Sequence, residues 1–207
     1  MNVVTAKGDL LTLNTKIASI SIIIAFIFFL FPVGSVYGES RAETQYFSVQ
    51  LPDSWVYKQD FAANDSLLLV PSELTGLVDD DDTSKSLLNL AEKGVLIEFG
   101  RDVDYHPTNN SLEKYSRYFL NSAQQNYDPE FGNATLGGER ATKILINGTE
   151  VGKYGPMKNI TGSINTIAYL VVHHNQPYYL YYIANENNYI KYLNDFEQIV
   201  SNFRFTK

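Results

Sequence analysis

The residues best suited to chemistry are few and scattered. There are three histidines, His106, His173 and His174, and no cysteine. A thiol nucleophile, Cys-ligated zinc, an iron–sulfur cluster and disulfides are therefore excluded. His173 and His174 are neighbours in an apolar run that reads as a strand, so their side chains are expected on opposite faces, unable to share one metal ion. His106 stands alone before Pro107. With a carboxylate from elsewhere, one of the pair is a metal ligand in the making; otherwise all three are ordinary structural or surface histidines.

Carboxylates are more plentiful, 23 against 16 lysines and arginines. Asp79, Asp80, Asp81 and Asp82 are consecutive, and oxygen-rich clusters suit a hard cation such as calcium. The run lacks the D-x-D-x-D-G register, which leaves two readings: a weak calcium site, with Glu98, Asp102 and Asp104 as further ligands, or a solvated acidic loop whose charges stay apart. No cofactor is expected beyond weakly bound calcium at this run. Glu98, Asp102, Asp104, Glu139 and Glu150 also suffice for a general acid–base pair wherever the fold brings two together. No G-x-S-x-G elbow or H-E-x-x-H helix occurs. The segment from Gly148 to Lys153 imitates a phosphate loop, but it is one residue short and Tyr154 replaces the Ser/Thr that would hold magnesium. The net charge of −7 argues against nucleic acid, whose phosphates need a basic footprint.

Five Asn-x-Ser/Thr sequons begin at Asn64, Asn109, Asn133, Asn147 and Asn159. They are glycosylation candidates, or the chance product of an Asn-rich chain, and in either case mark surface turns between apolar runs.

The elements that position these residues follow from periodicity. Phe47, Val49 and Leu51 alternate with polar residues; Trp55–Tyr57, Leu67–Val70 and Gly94–Phe99 are further strands. From Pro71 to Asn89 the chain is polar and reads as an exposed loop. Leu112, Tyr115, Phe119 and Ala123 recur at helical spacing behind Asn110-Ser111. Gly137-Gly138 leads into a strand from Arg140 to Ile146, closed by Asn147-Gly148, a favoured two-residue turn. Ile164–His174 and Tyr178–Ala184 read as a hairpin joined at Asn175-Gln176-Pro177. In its second run Tyr178, Leu180 and Tyr182 occupy one face and Tyr179, Tyr181 and Ile183 the other, so this strand belongs in mid-sheet, covered on both sides. A terminal helix is marked by Tyr189, Tyr192, Leu193, Phe196, Ile199, Val200 and Phe203. Strands joined at hairpin length and followed by helices predict an α+β layered domain with an antiparallel sheet.

Residues 1–38 have the grammar of a targeting segment: Lys7 and Lys16, an uncharged core from Ile17 to Gly34, and the small-residue exit Val36-Tyr37-Gly38. The core is at the lower length limit for a membrane span, so cleaved signal and retained anchor are both open. The flanking charges place the N-terminus inside and residues 39–207, a single domain, outside. With no cysteine, that domain must be stabilised by packing, to which 15 Tyr and 12 Phe contribute.

The opening Phe47-Ser-Val-Gln-Leu-Pro-Asp-Ser-Trp55, the turn Leu136-Gly-Gly-Glu-Arg-Ala141, and the run Tyr178-Tyr-Leu-Tyr-Tyr-Ile-Ala184 before Tyr189, Tyr192, Phe196 and Ile199 resemble the PsbP-like proteins. That family is named after an extrinsic subunit of photosystem II. The resemblance covers Tyr46 to Phe205 and implies an α/β/α sandwich with a central antiparallel sheet. It implies no catalytic residues, and the scaffold serves chiefly for protein contacts. The expectation is an extracytoplasmic, non-catalytic accessory or protein-binding module, monomeric in isolation, with a protein partner at the membrane surface. The opposing reading is an exported hydrolase whose carboxylates converge only in the fold.

Overall fold

The computed structural model describes residues 41–59, 66–79, 82–102, 105, 111–123, 128–150 and 163–206, without the side chains of residues 84, 122, 123, 149 and 150. The chain divides into two compact units, Met1–Tyr37 and Gly38–Lys207. The segment 1–38 read as a signal or anchor lies outside the described residues. Among those described, no helix is long and apolar enough to cross a membrane.

The strands are β1 (Arg41–Glu43), β2 (Phe47–Gln50), β3 (Trp55–Gln59), β4 (Leu67–Pro71), β5 (Val95–Arg101), β6 (Glu130–Leu136), β7 (Glu139–Glu150), β8 (Ser163–His173), β9 (Gln176–Asn185) and β10 (Arg204–Phe205). The helices are α1 (Thr83–Lys93), α2 (Leu112–Ala123) and α3 (Glu186–Asn202). Seven strands form an antiparallel sheet in the order β3-β4-β5-β9-β8-β7-β6, and β1-β2-β10 form a smaller one. The α+β class with a central antiparallel sheet is thus what the chain adopts. β9 is the middle strand, as its two apolar faces require. Tyr178, Leu180 and Tyr182 pack towards α3, whereas Tyr179 and Tyr181 pack towards α2 and Ile183 towards α1.

Aromatic packing holds the α3 layer. Phe99 has ring centroids 4.1 Å from Phe47 and 4.4 Å from Phe203, and Tyr182 stacks on Phe196 at 4.7 Å. Each such side chain, fully buried, contributes about 1.5–3 kcal/mol. The Tyr182 hydroxyl donates to the Tyr189 carbonyl at 2.6 Å, so its burial leaves no polar atom unmatched. Trp55 fixes the middle of α3: its indole N–H donates to Asp195 Oδ2 at 2.8 Å, and its ring meets Tyr192 edge-on at 5.8 Å.

Four local readings are corrected. The polar stretch from Pro71 to Asn89 holds a 3-10 turn, Ser72–Leu77, and most of helix α1. Leu87, Leu90 and Ala91 supply a short apolar stripe there, outweighed in the sequence by the acidic run. Gly137-Gly138 is itself a hairpin turn, with both φ values positive (61° and 87°), and joins β7 to the edge strand β6. β6 is exposed at nearly every position, so no alternation betrays it. Asn147-Gly148 does not end β7; it forms a bulge between Ile146 and Thr149, and the Gly148 N–H donates to Asn165 Oδ1 at 2.9 Å. The β8–β9 turn is His174-Asn175, both at positive φ, one residue earlier than expected.

Candidate functional site

The acids that periodicity leaves unexplained meet aromatic hydroxyls on the α1/α2 side of the sheet. Along β5, Leu96, Glu98 and Gly100 share that side, and Asp102 continues the alternation past the strand end. Pairing with β9 sets Glu98 opposite Tyr181 and Gly100 opposite Tyr179. The Tyr179 hydroxyl donates to Glu98 Oε1 at 2.9 Å, and the Tyr179 and Tyr181 rings stack at 4.6 Å. Gly100 is required here, because a Cβ would stand 2.8 Å from Tyr179 Oη and 3.3 Å from Ser66 Cβ. The phenol lies over the strand only because that position has no side chain.

Helix α2 brings Tyr115 into the same group. The residue is fully buried, and its hydroxyl makes no hydrogen bond to any described residue. The Asp102 carboxylate lies close enough to disfavour ionisation of the phenol. Asp102 Oδ1 accepts from the Tyr105 N–H at 3.2 Å, and Tyr105 packs against Tyr115 at 5.0 Å and Tyr118 at 4.9 Å. Phe119 reaches Tyr181 at 6.0 Å. The aromatic surface therefore runs from half-exposed Tyr118 inward to Glu98.

The electrostatics follow from this packing. Burial raises the Glu98 carboxyl above its ordinary range, and the Tyr179 hydrogen bond offsets part of the rise. Tyr115, Tyr179 and Tyr181 are all pushed well up, first by burial and then by their neighbours: Tyr181 for Tyr115, Glu98 for Tyr179 and Tyr181. The phenols thus stay protonated and neutral at every physiological pH. They offer O–H groups and ring faces beside two carboxylates, a combination suited to hydrogen bonding and to holding positive charge.

The remaining sequence candidates are dispersed. Asp82 caps α1, its carboxylate accepting from the Lys85 N–H at 2.9 Å, and Asp79 pairs with Lys85 Nζ at 2.6 Å. Asp80 and Asp81 lie outside the described residues, as do Asp104, His106, Asn64, Asn109, Asn159 and the Glu150 side chain. Asn133 and Asn147 are exposed, on edge strand β6 and at the β7 bulge. Glu139 sits on the opposite face of the sheet from Glu98. Its Oε1 lies 2.9 Å from His173 Nδ1. The expectation for the histidine pair is corrected: the positive φ of His174 swings its ring back over His173, and the two stack at 4.0 Å. His173 is itself stacked on Phe205 at 4.1 Å. Among the described residues, no three His, Asp or Glu side chains converge as a metal group.

Sequence reasoning named Glu98 and Asp102 but read Tyr115, Tyr179 and Tyr181 as core. The available signal was the second face of Tyr178–Ala184, where two tyrosines stand at a position that aliphatic residues fill more cheaply.

No family model matches the chain, and no curated protein does. Solved structures to which it is similar include a protein of Bacteroides thetaiotaomicron, 10% identical with a TM-score of 0.48, over 83% of this chain and 50% of that one. LpqN, involved in cell envelope biogenesis of Mycobacterium tuberculosis, is 14% identical with a TM-score of 0.46, over 78% and 83%. The cyanobacterial PsbP of Synechocystis sp. PCC 6803 is 10% identical with a TM-score of 0.43, over 84% and 96%. The chain spans half the length of the first of these.

Proposed function

We propose that this protein is an exported accessory module that binds a protein partner through the tyrosine–carboxylate surface between β5, β9 and α2. One observation carries the reading. The buried acid, Glu98, accepts from the Tyr179 phenol, and the aromatic surface leading to it ends in half-exposed Tyr118. Aromatic anchors beside a few polar groups are what recognition sites are built from. The uncharged stretch from Ile17 to Gly34 and its flanking charges support export.

The raised Glu98 carboxyl favours a second reading, since a general acid needs such a shift. A photo-crosslinking residue at position 118 of the full chain, in its own membranes, separates the two. The module gives a discrete adduct from position 118 and none from position 190, an exposed site on α3. Absence of an adduct, together with hydrolysis of an ester, peptide or glycoside that Glu98→Gln abolishes, would establish the hydrolase instead.

A further inference from the structure

β6 ends the seven-stranded sheet: it pairs with β7 on one side, and among the described residues no strand pairs with its other side. Its backbone groups alternate between the two sides. The turn Gly137-Gly138 closes on the hydrogen-bonded pair Leu136 and Glu139, so Ala134, Gly132 and Glu130 also bond to β7. The N–H and C=O groups of Phe131, Asn133 and Thr135 therefore point away from the sheet. The β8–β9 turn imposes the same alternation through β7.

Such an edge is a template for another strand unless something blunts it. The opposite edge, β3, is 5 residues long, carries Lys58 and follows closely on Pro52. β6 is 7 residues long, pairs with β7 without a bulge, and holds no proline or lysine. Glu130 at its start is its single charge. Phe131 is 62% exposed on the α2 side of the sheet, where Asn133 and Thr135 also stand. An exposed phenylalanine on an open edge is a liability in a lone molecule.

The order of the residues selects the occupant. Laid antiparallel on itself about Asn133, β6 sets Asn133 against Asn133 of the second copy, and Phe131 against its Thr135. All the outward-pointing residues then meet outward-pointing residues, which gives about six inter-chain hydrogen bonds. Glu130 meets Leu136, so the like charges lie at opposite ends of the joint. An aromatic ring opposite a β-branched side chain is a favourable cross-strand pair.

We infer that β6 pairs antiparallel with β6 of a second copy of this chain, with the two-fold axis at Asn133, joining the two large sheets into one. Because paired side chains share a face, both α2 layers, each with its exposed Tyr118, lie on the same side of the joined sheet. The inference goes beyond the partner-binding reading and is independent of it. It departs from the monomer expected from the sequence, where β6 has no period to show.

The chain has no cysteine, so single cysteines placed in the full chain report the joint directly. Disulfide formation in its own membranes, under a copper–phenanthroline oxidant, is read by non-reducing electrophoresis. Asn133→Cys should give a dimer severalfold above that from Ile190→Cys, on the exposed face of α3. Cα atoms in a hydrogen-bonded antiparallel pair, about 5.5 Å apart, are within disulfide reach. Chains with Phe131→Cys and chains with Thr135→Cys should cross-link when produced together and hardly at all when either is produced alone. Adding Thr135→Pro to Asn133→Cys should cut the dimer about tenfold or more, one hydrogen bond being lost from each copy. That proline removes an outward N–H and no bond to β7. The mixed cysteine pair fixes the register without any change to the backbone, which covers the case in which the proline variant does not fold. A dimer from Asn133→Cys no stronger than from Ile190→Cys overturns the inference, as do equal yields from Phe131→Cys alone and from the mixed pair, or a dimer indifferent to Thr135→Pro. So does an adduct with a different protein in place of the dimer, or a glycan on Asn133 of the parent chain, which would fill the joint.

Discussion

Replacing Tyr115 by Phe tests the reasoning about the buried hydroxyl most directly. The substitution keeps the ring, and with it the contact to Tyr105 at 5.0 Å and the packing on Ile144, Ala168 and Leu170. It removes one fully buried oxygen for which no hydrogen bond of good geometry is found among the described residues. A buried hydroxyl in that state costs about 1–3 kcal/mol relative to water. The nearby Asp102 carboxylate recovers part of this, so a gain of about 1–2 kcal/mol is expected for the ligand-free protein. For a domain of this size that is a rise in Tm of roughly 2–8 °C. Tyr182→Phe is the matched control, because its hydroxyl donates to the Tyr189 carbonyl at 2.6 Å; losing that bond should cost about 1 kcal/mol. Urea unfolding followed by circular dichroism, at equal m-values, gives both numbers. The reasoning fails if Tyr115→Phe is as destabilising as Tyr182→Phe. The hydroxyl would then have a native partner, and a double-mutant cycle with Asp102→Asn would show whether it is that carboxylate.

Four further outcomes are expected. Because burial raises the folded-state pKa of Glu98, its contribution to stability is present below the ordinary carboxylate range and lost as pH rises through the raised value. Glu98→Gln, which keeps an acceptor for Tyr179, should therefore gain on the parent as pH rises in urea unfolding; a gain that shrinks with pH would mean the carboxylate is stabilised in its charged form. Gly137→Ala should cost more than Gly138→Ala in thermal unfolding, since both have positive φ but only at Gly137 would a Cβ meet Phe205 at 2.8 Å and Phe203 at 3.0 Å; about 1 kcal/mol for Gly138 and at least twice that for Gly137 are expected, and equal losses would refute the contact. Asp82→Ala should lose about 1 kcal/mol in calcium-free buffer and Asp82→Asn very little, because the carboxylate caps α1; a loss seen only with calcium would point to a metal role. N-terminal sequencing of the mature protein should start near Glu39, whereas an intact Met1 in a membrane fraction would mark an anchor and a cytosolic full-length chain would defeat the export reading.

The parts of the fold legible in the sequence were those whose side chains repeat with a clear period. Tyr178–Ala184 is apolar on both faces because it lies in mid-sheet, and the spacing of Tyr115 and Phe119 is that of α2. β6 was not legible because an edge strand exposed on both faces has no period to show. The reading of α1 failed because Asp79–Asp82 was weighed as a charge run, although Asp82 is the cap at which the helix starts. Turns carried a different limit. Asn147-Gly148 has the composition of a hairpin turn, and only the continuing pairing of β7 with β8 turns it into a bulge. The one-residue shift of the β8–β9 turn takes His174 out of the strand and so reverses where its ring points. The candidate site depends on the register of β5 against β9, strands far apart in sequence. The acids are visible in the one-dimensional chain, but which tyrosines face them is not.

The small sheet has a mechanical consequence. β1 and β10 flank β2 and both run antiparallel to it, so they run parallel to each other. Arg41, where β1 begins, pairs with Gln50 at one end of β2, while Phe205, where β10 finishes, pairs with Phe47 at the other. Tension applied through these two ends pulls along the strands in opposite directions. The inter-strand hydrogen bonds are then loaded together in shear, and cannot be peeled one at a time as in a hairpin pulled at its open end. Force spectroscopy should find a single rupture event at the ends, with the seven-stranded sheet carrying load only after the small sheet has parted.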